Sequence, residues 1–460
     1  VGGRGRALAV LSLSLLNVFT ALAGVAVAKL TPDRHLSPQP PSVAARDPLR
    51  TSVSVPAVDL VAARPANAAA VAARLAPLAG GRGAPINAVV IDAVTRRTLF
   101  DLRADRPATP ASTTKLVTAV AVLAAAGPGH RITTRVVRGG DGGIVLVGGG
   151  DPTLTALPPS PEAGHPPYAS LADLARQTAT ALKASGVTQV RVDYDASAYQ
   201  GPRAAATWKP NYLPDGEVAP VSALTVDEGR VDPTRPERVT DPPAVAAASF
   251  ARLLSRNGVA AKSGRGTVAP KDAQTLGAVR SPPVSALVEH LMTDSDNDVA
   301  EAMARQVAVK RGLPASFASS AQAVLQVLSE LGVAEGVLVH DGSGLSPHNR
   351  ISPIALARIV SLAASPEHPE LRAAITGLPV AGFSGTLGPP RYTVPSSRAG
   401  AGVVRAKTGT LSGVSTLAGV AHDADGRLLA FAFMAGDGKS VVDPGRLDRL
   451  AAAVAACGCG

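Results

Sequence analysis

Cysteine is almost missing from this 460-residue chain: Cys457 and Cys459, both within the last four positions, are the only two. Separated by one residue they cannot staple a domain, so the sequence predicts a chain that folds without disulfides and ends in a ragged tail. Aromatic residues make up only 3%, which leaves Ala, Val and Leu to build the core. None of the eight histidines has metal-ligand spacing to another, and His340-Asp341 has no third partner for a Ser/His/Asp triad. No metal and no cofactor are therefore expected. Acidic residues are the minority, 35 against 45 Lys and Arg, and the net charge of +10 favours anionic neighbours such as wall polymers or lipid head groups. A stripe of clustered Arg and Lys with interleaved aromatics is lacking, so nucleic acid is not an expected partner.

What is present begins with an export signal. Arg4 and Arg6 precede an uncharged, mostly apolar run from Ala7 to Ala28, about 33 Å long as a helix and enough to cross a bilayer. Ala26-Val27-Ala28 offers a small-residue cleavage site. Residues 1–28 thus read as a signal peptide or an N-terminal membrane anchor, and the protein as secreted: exported to the cell wall or periplasm, with membrane association through this segment as one outcome. Residues 29–65, rich in Pro, Ser and Arg, read as a linker. The remainder, in a chain 46% hydrophobic and 17% charged overall, is globular with room for more than one domain.

Three short stretches carry chemistry. Ser112 and Lys115 stand three residues apart at the head of a helical pattern, after Pro107 and Pro110 and before an apolar run stopped by Gly127-Pro128-Gly129. A serine hydroxyl becomes a nucleophile when a base takes its proton, and burial lowers a lysine pKa enough for it to be that base. Alone, Ser-x-x-Lys more often marks a helix cap with a solvated lysine. Ser295-Asp296-Asn297, on a tight connection between two helical patterns, and Lys407-Thr408-Gly409-Thr410, after the strand-like Val403–Ala406, change that. With Ser112 attacking a carbonyl, the Ser112 and Thr410 N–H groups suit the developing oxyanion. Lys407 repels charge from Lys115 and attracts an anionic substrate end, Ser295 relays a proton, and Asn297 holds a substrate amide and orients Lys115.

In this order the motifs resemble those of penicillin-binding proteins and class A β-lactamases. Together with Gly148-Gly149-Gly150-Asp151-Pro152-Thr153-Leu154, Ala219–Leu224, Asp341-Gly342-Ser343-Gly344-Leu345-Ser346 and Leu378–Gly382 they resemble the low-molecular-mass class C penicillin-binding proteins, which are D-alanyl-D-alanine carboxypeptidases and endopeptidases. The resemblance implies a hydrolase that trims peptidoglycan stem peptides ending in D-Ala-D-Ala through an acyl-enzyme on Ser112, with β-lactams as covalent inhibitors. It makes Ser112, Lys115, Ser295, Asn297 and Lys407 catalytic, and Thr408, Gly409 and Thr410 substrate-binding. Pro347 stands where similar proteins often have a basic residue.

The implied fold is α+β, a penicillin-recognising, β-lactamase-like serine transpeptidase fold: an antiparallel sheet flanked by helices, an all-helical lobe, and an inserted α/β subdomain. The catalytic domain is expected from 66–154 and 276–460, with 155–275 as the insert, because the motifs resume only beyond it and Ser295 lies much farther from Ser112 than a class A β-lactamase allows. Two other readings compete. One is an exported penicillin-recognising binding or sensor module without turnover, which the intact motifs disfavour. The other is a slow β-lactamase, disfavoured because no Glu-x-x-Leu-Asn stretch stands between Ser295 and Lys407.

Overall fold

Alternation of large and small apolar residues along one strand sets up the two layers of the main domain. In Leu428–Gly436, Phe431 and Phe433 pack into one hydrophobic core while Ala430, Ala432 and Met434 pack into another. Successive side chains of a strand point to opposite faces, so this strand is buried on both sides. The computed structural model describes residues 66–80, 84–157, 167–232 and 234–458. The leader, the 29–65 linker and Cys459 lie outside them.

In chain order the elements are α1 (Ala68–Ala79), β1 (Ile86–Asp92), β2 (Thr98–Leu102), α2 (Thr114–Ala126), β3 (Thr133–Arg138), β4 (Ile144–Val147), α3 (Leu171–Ala184), β5 (Gln189–Asp195), α4 (Pro242–Arg256), β6 (Ala260–Gly266), β7 (Thr275–Arg280), α5 (Val284–Asp294), α6 (Asn297–Lys310), α7 (Phe317–Glu330), β8 (Val337–Leu338), β9 (Arg350–Ile351), α8 (Pro353–Ala364), α9 (Ala373–Thr376), β10 (Val404–Leu411), β11 (Val414–His422), β12 (Leu428–Gly436) and α10 (Gly445–Ala455). The main sheet runs β10-β11-β12-β1-β2 and every pairing in it is antiparallel. On the Phe431/Phe433 face lie α1 and α10, through Val71, Leu75, Leu450 and Val454. On the alanine face lies the all-helical lobe of α2, α5, α6, α7 and α8. Small side chains let the helices approach that face closely.

α2 is buried from Thr114 to Leu123 on all sides, the mark of a central helix. It ends at Gly127, whose φ of 82° no residue with a Cβ adopts readily. A buried ion pair ties the sheet: Arg427 lies 2.8 Å from the Asp92 carboxylate, and both are almost fully buried.

A second sheet, β6-β5-β4-β3-β7, mixes parallel β4-β5-β6 with antiparallel β3 pairings. α3 and α4 cover it with Leu174, Leu182, Phe250 and Leu254. β3 and β4 belong to this sheet, although they directly follow α2 in the chain. From this module a strap of turns, 204–221, reaches back to the main domain, where Trp208, Tyr212 and Val218 pack with Leu345.

The α+β class, with its antiparallel sheet, helical lobe and inserted α/β module, is as the sequence led one to expect. Two local expectations need correction. β10 does not stop at Ala406 but continues through Lys407-Thr408-Gly409-Thr410; the glycine that reads as a break is there for a close approach described below. Cys457, buried at the end of α10, is disulfide-bonded, so the expectation of a chain without disulfides fails.

Candidate active site

Ser112 sits on a single 3₁₀ turn, Ala111–Thr113, that feeds into α2. The turn is strained at its entry: Ala111 has φ 48°, a left-handed conformation that costs on the order of 1 kcal/mol for a residue with a Cβ. Its neighbours hold it. The Pro110 carbonyl accepts from the Thr113 and Thr416 hydroxyls, at 2.7 Å each. A Cβ on Gly344 would lie 1.9 Å from the Ala111 oxygen, so only glycine fits there.

From the first turn of α2, Lys115 reaches the hydroxyl three residues back. Its Nζ donates to Ser112 Oγ at 3.1 Å, to Asn297 Oδ1 at 2.7 Å and to the Ser343 carbonyl at 2.8 Å. Those acceptors hold the amine in one place. Lys115 is fully buried, and burial pulls its pKa down to about 8 although Asp296, Asp341, Glu301 and Asp298 favour the charged form.

Ser295 and Asn297 come from the α5–α6 junction. Ser295 caps α5 with φ 62°, Asp296 opens α6 by accepting from the Val299 N–H at 2.8 Å, and Asn297 begins that helix. The Ser295 hydroxyl accepts from Lys407 Nζ at 2.8 Å, and Lys407 also donates to the Thr408 carbonyl at 3.0 Å. Lys407, fully buried, is driven well below the usual lysine pKa by burial and by the charge of Lys115. Thr408 donates to the Thr386 hydroxyl at 2.8 Å, and Thr410 is exposed. β10 is the edge strand of the main sheet; its outer side is paired at Val404 and Ala406, with Ala381 and Pro379, so an extended ligand has only the stretch beyond them to pair with. The structure thus brings Ser112, Lys115, Ser295, Asn297, Lys407 and Gly409 into one cluster, with Thr408 and Thr410 along its rim.

Residues that the motifs do not single out also hold the cluster, Glu217 and Glu301 among them. Asn297 Nδ2 donates to the Glu217 carbonyl of the strap at 2.8 Å, which turns Oδ1 towards Lys115. The loop 341–346, which presents the Ser343 carbonyl, hangs on two buried carboxylates. Glu301 accepts from the Gly342 and Ser343 N–H groups, at 3.0 and 2.8 Å. Asp341 accepts from Gly344 and Ser346 N–H, from Asn349 and from the indole of Trp208. One signal was readable: Asn297, Glu301 and Arg305 recur every fourth residue, one stripe of polar groups on a helix whose middle is buried. The strap's part carried none, because it is made by a backbone carbonyl.

A hydroxyl, a buried amine with depressed pKa, a second Ser-Lys pair and a fixed amide, set between a sheet edge and a helical lobe, define a penicillin-recognising serine hydrolase. The family model described as D-Ala-D-Ala carboxypeptidase 3 (S13) matches residues 68–238 and 233–454. The carboxypeptidase DacB of Mycolicibacterium smegmatis is 36% identical over 463 residues, spanning 99% of this chain and 97% of that protein. A carboxypeptidase of Mycobacterium tuberculosis is 37% identical over 434 residues, 92% of this chain and 90% of that one. In fold the chain is similar to penicillin binding protein 4 of Haemophilus influenzae, with a TM-score of 0.65, 22% identity and coverage of 84% of this chain and 98% of that one. The chain belongs to the D-Ala-D-Ala carboxypeptidase 3 (S13) family, the low-molecular-mass class C penicillin-binding proteins.

Proposed function

We infer that Ser112 is the nucleophile of a serine-type D-alanyl-D-alanine carboxypeptidase and endopeptidase acting on peptidoglycan stem peptides. The observation that carries this is the three-way grip on Lys115: its amine touches the Ser112 hydroxyl while Asn297 and Ser343 fix it from the other side. With a pKa of about 8, about a tenth of Lys115 is neutral at pH 7 and able to accept a proton.

In this reading Ser112 Oγ adds to the carbonyl of the penultimate D-alanine and its proton passes to Lys115. The oxyanion is held by the Ser112 and Thr410 N–H groups. Collapse breaks the C–N bond, and the proton reaches the leaving amine through Ser295, with Lys407 behind it. D-Alanine departs, and water, deprotonated by Lys115, releases the shortened peptide. Thr408 and Thr410 meet the terminal carboxylate, Gly409 lets β10 lie against the nucleophile turn, and Asn297 holds the substrate amide. A β-lactam acylates the same oxygen. Slow release of that adduct is in keeping with the lack of a Glu-x-x-Leu-Asn stretch between Ser295 and Lys407.

Next to the nucleophile turn lies a cavity of about 530 Å³ lined by Arg103, Arg106, Lys209, Arg350, Leu411 and Ser412 among others. Its cationic walls suit the acidic remainder of a stem peptide. The leader, with the net charge of +10, supports an exported, extracytoplasmic protein that meets the wall outside the membrane, cleaved or anchored. We draw the inserted module from Thr133 to Arg280, wider than 155–275, because β3, β4 and β7 share its sheet.

The test is product analysis. Wild type should release D-alanine from a pentapeptide and form a covalent adduct with a fluorescent penicillin, and Ser112→Ala should do neither. Labelling without D-alanine release would favour the sensor reading instead.

A further inference from the structure

The two aspartates that flank Ser295 share one imidazole. His290, one turn back in α5, places Nδ1 2.9 Å from Asp294 Oδ2 and Nε2 3.5 Å from Asp296 Oδ2. Between those carboxylates Ser295 has φ 62°, which a residue with a Cβ keeps only when its surroundings hold it. Asp294 is half exposed, whereas Asp296 is nearly buried and also starts α6 by accepting from Val299. The imidazole therefore spans the junction that carries both Ser295 and Asn297.

Other groups face His290 from neighbouring elements. A Glu228 oxygen, a nitrogen of His290 and an oxygen of Asp296 lie within 4.8 Å of one another. Glu228 is itself paired with Arg230 at 3.1 Å. The Tyr168 ring meets His290 edge-on at 6.3 Å, and farther out Asp298 is paired with Arg238 at 3.0 Å. Burial disfavours charge on His290, but the carboxylates of Asp294 and Asp296 outweigh it and push its pKa up to about 10. The ring is thus an imidazolium at neutral pH. Asp296, for its part, is the strongest of the charges that favour protonated Lys115.

We propose that His290 is a positioning residue for acyl transfer: by bridging Asp294 and Asp296 it fixes the backbone of Ser295, and it offsets the negative charge that Asp296 presents to Lys115. Ser295 then meets Lys407 in one geometry, and Lys115 is free to act as a base at lower pH than it otherwise would be. The proposal rests on the reading of Ser112, Lys115 and Ser295 given above.

His290→Gln and Asp294→Asn separate the two effects. Both are measured for the rate of Ser112 acylation by a fluorescent penicillin, and for kcat and KM on a D-Ala-D-Ala peptide, as a function of pH. In His290→Gln the acylation rate near neutral pH should fall about tenfold or more, in kcat and not KM, with the rising limb of the profile displaced to higher pH. Asp294→Asn, which removes one anchor but leaves the Asp296 carboxylate beside the ring, should lower kcat by a factor of about three with the limb displaced less than in His290→Gln. A folded His290→Gln protein with the wild-type rate and limb overturns the proposal, as does a loss confined to KM. If His290→Gln does not fold, Asp294→Asn decides, and a wild-type kcat there overturns it. A wild type that is never acylated at Ser112 would instead sink the underlying assignment, so the two failures are told apart.

Discussion

Gly409 stands directly against Ser112: a Cβ at 409 would lie 2.9 Å from the Ser112 nitrogen, 2.7 Å from the Pro110 carbonyl oxygen and 2.2 Å from Thr416 Oγ1. Two of those atoms are backbone and the third donates to the same Pro110 carbonyl. The contact seats the edge strand on the nucleophile turn. Gly409→Ala should therefore force β10 and the turn apart, at about 1–3 kcal/mol in stability, and slow acylation by at least about tenfold. Thermal melting and the rate of labelling by a fluorescent penicillin measure both.

Lys115 gives the pH dependence. If Lys115 is the base, as proposed, acylation draws on its neutral amine, and the rate should rise with pH and level off above a midpoint near 8. Stability follows from the same group. Its folded pKa is below the ordinary 10.5, so between about 8 and 10.5 the unfolded chain binds more protons and stability rises with pH. Lys407, shifted in the same direction, adds to that slope. Lys115→Met should be inactive and show a shallower rise of stability with pH, read from chemical denaturation across that window.

Glu301 anchors the loop that presents the Ser343 carbonyl. Glu301→Ala leaves the Gly342 and Ser343 N–H groups buried and unpaired, about 1–3 kcal/mol for each. Because that carbonyl is one of the acceptors fixing Lys115, kcat should fall about ten- to a hundredfold while Ser112 itself is untouched. Steady-state kinetics beside a denaturation curve check this.

Asp92 and Arg427 make the opposite kind of prediction. The pair is buried in the sheet, away from the cluster around Ser112. Asp92→Ala should cost about 1.5–3 kcal/mol by taking charge-assisted hydrogen bonds from a buried guanidinium, with acylation of the folded fraction unchanged. Burial works against the Asp92 charge, but Arg427 and the Thr95 and Val94 N–H groups together outweigh it and hold the carboxyl below its ordinary 3.8. Its contribution is present at neutral pH and lost as pH falls through that lower value. Acid-induced unfolding of wild type and variant measures it.

The sequence shows its chemistry where side chains do the work. Ser112, Lys115, Ser295, Asn297 and Lys407 are all readable as candidates, because the proposed chemistry asks for those residue types, and the fold brings them together. Helices with clear periodicity, such as Leu171–Ala184, are legible for the same local reason. What stays hidden is carried by backbone or by context. β6, with Ala260–Gly266 largely exposed along an edge, has no apolar alternation to announce it. β10 looks interrupted at Gly409 because the reason for the glycine lies in Ser112, far away in sequence. The Glu217 carbonyl that turns Asn297 could not be found from residue types at all.

Peptide mapping of the protein after brief exposure to a penicillin tests the central claim most directly. One adduct per chain, on the peptide that carries Ser112 and missing from Ser112→Ala, is the predicted result. An adduct at another residue, or none in a folded wild-type protein, would contradict it.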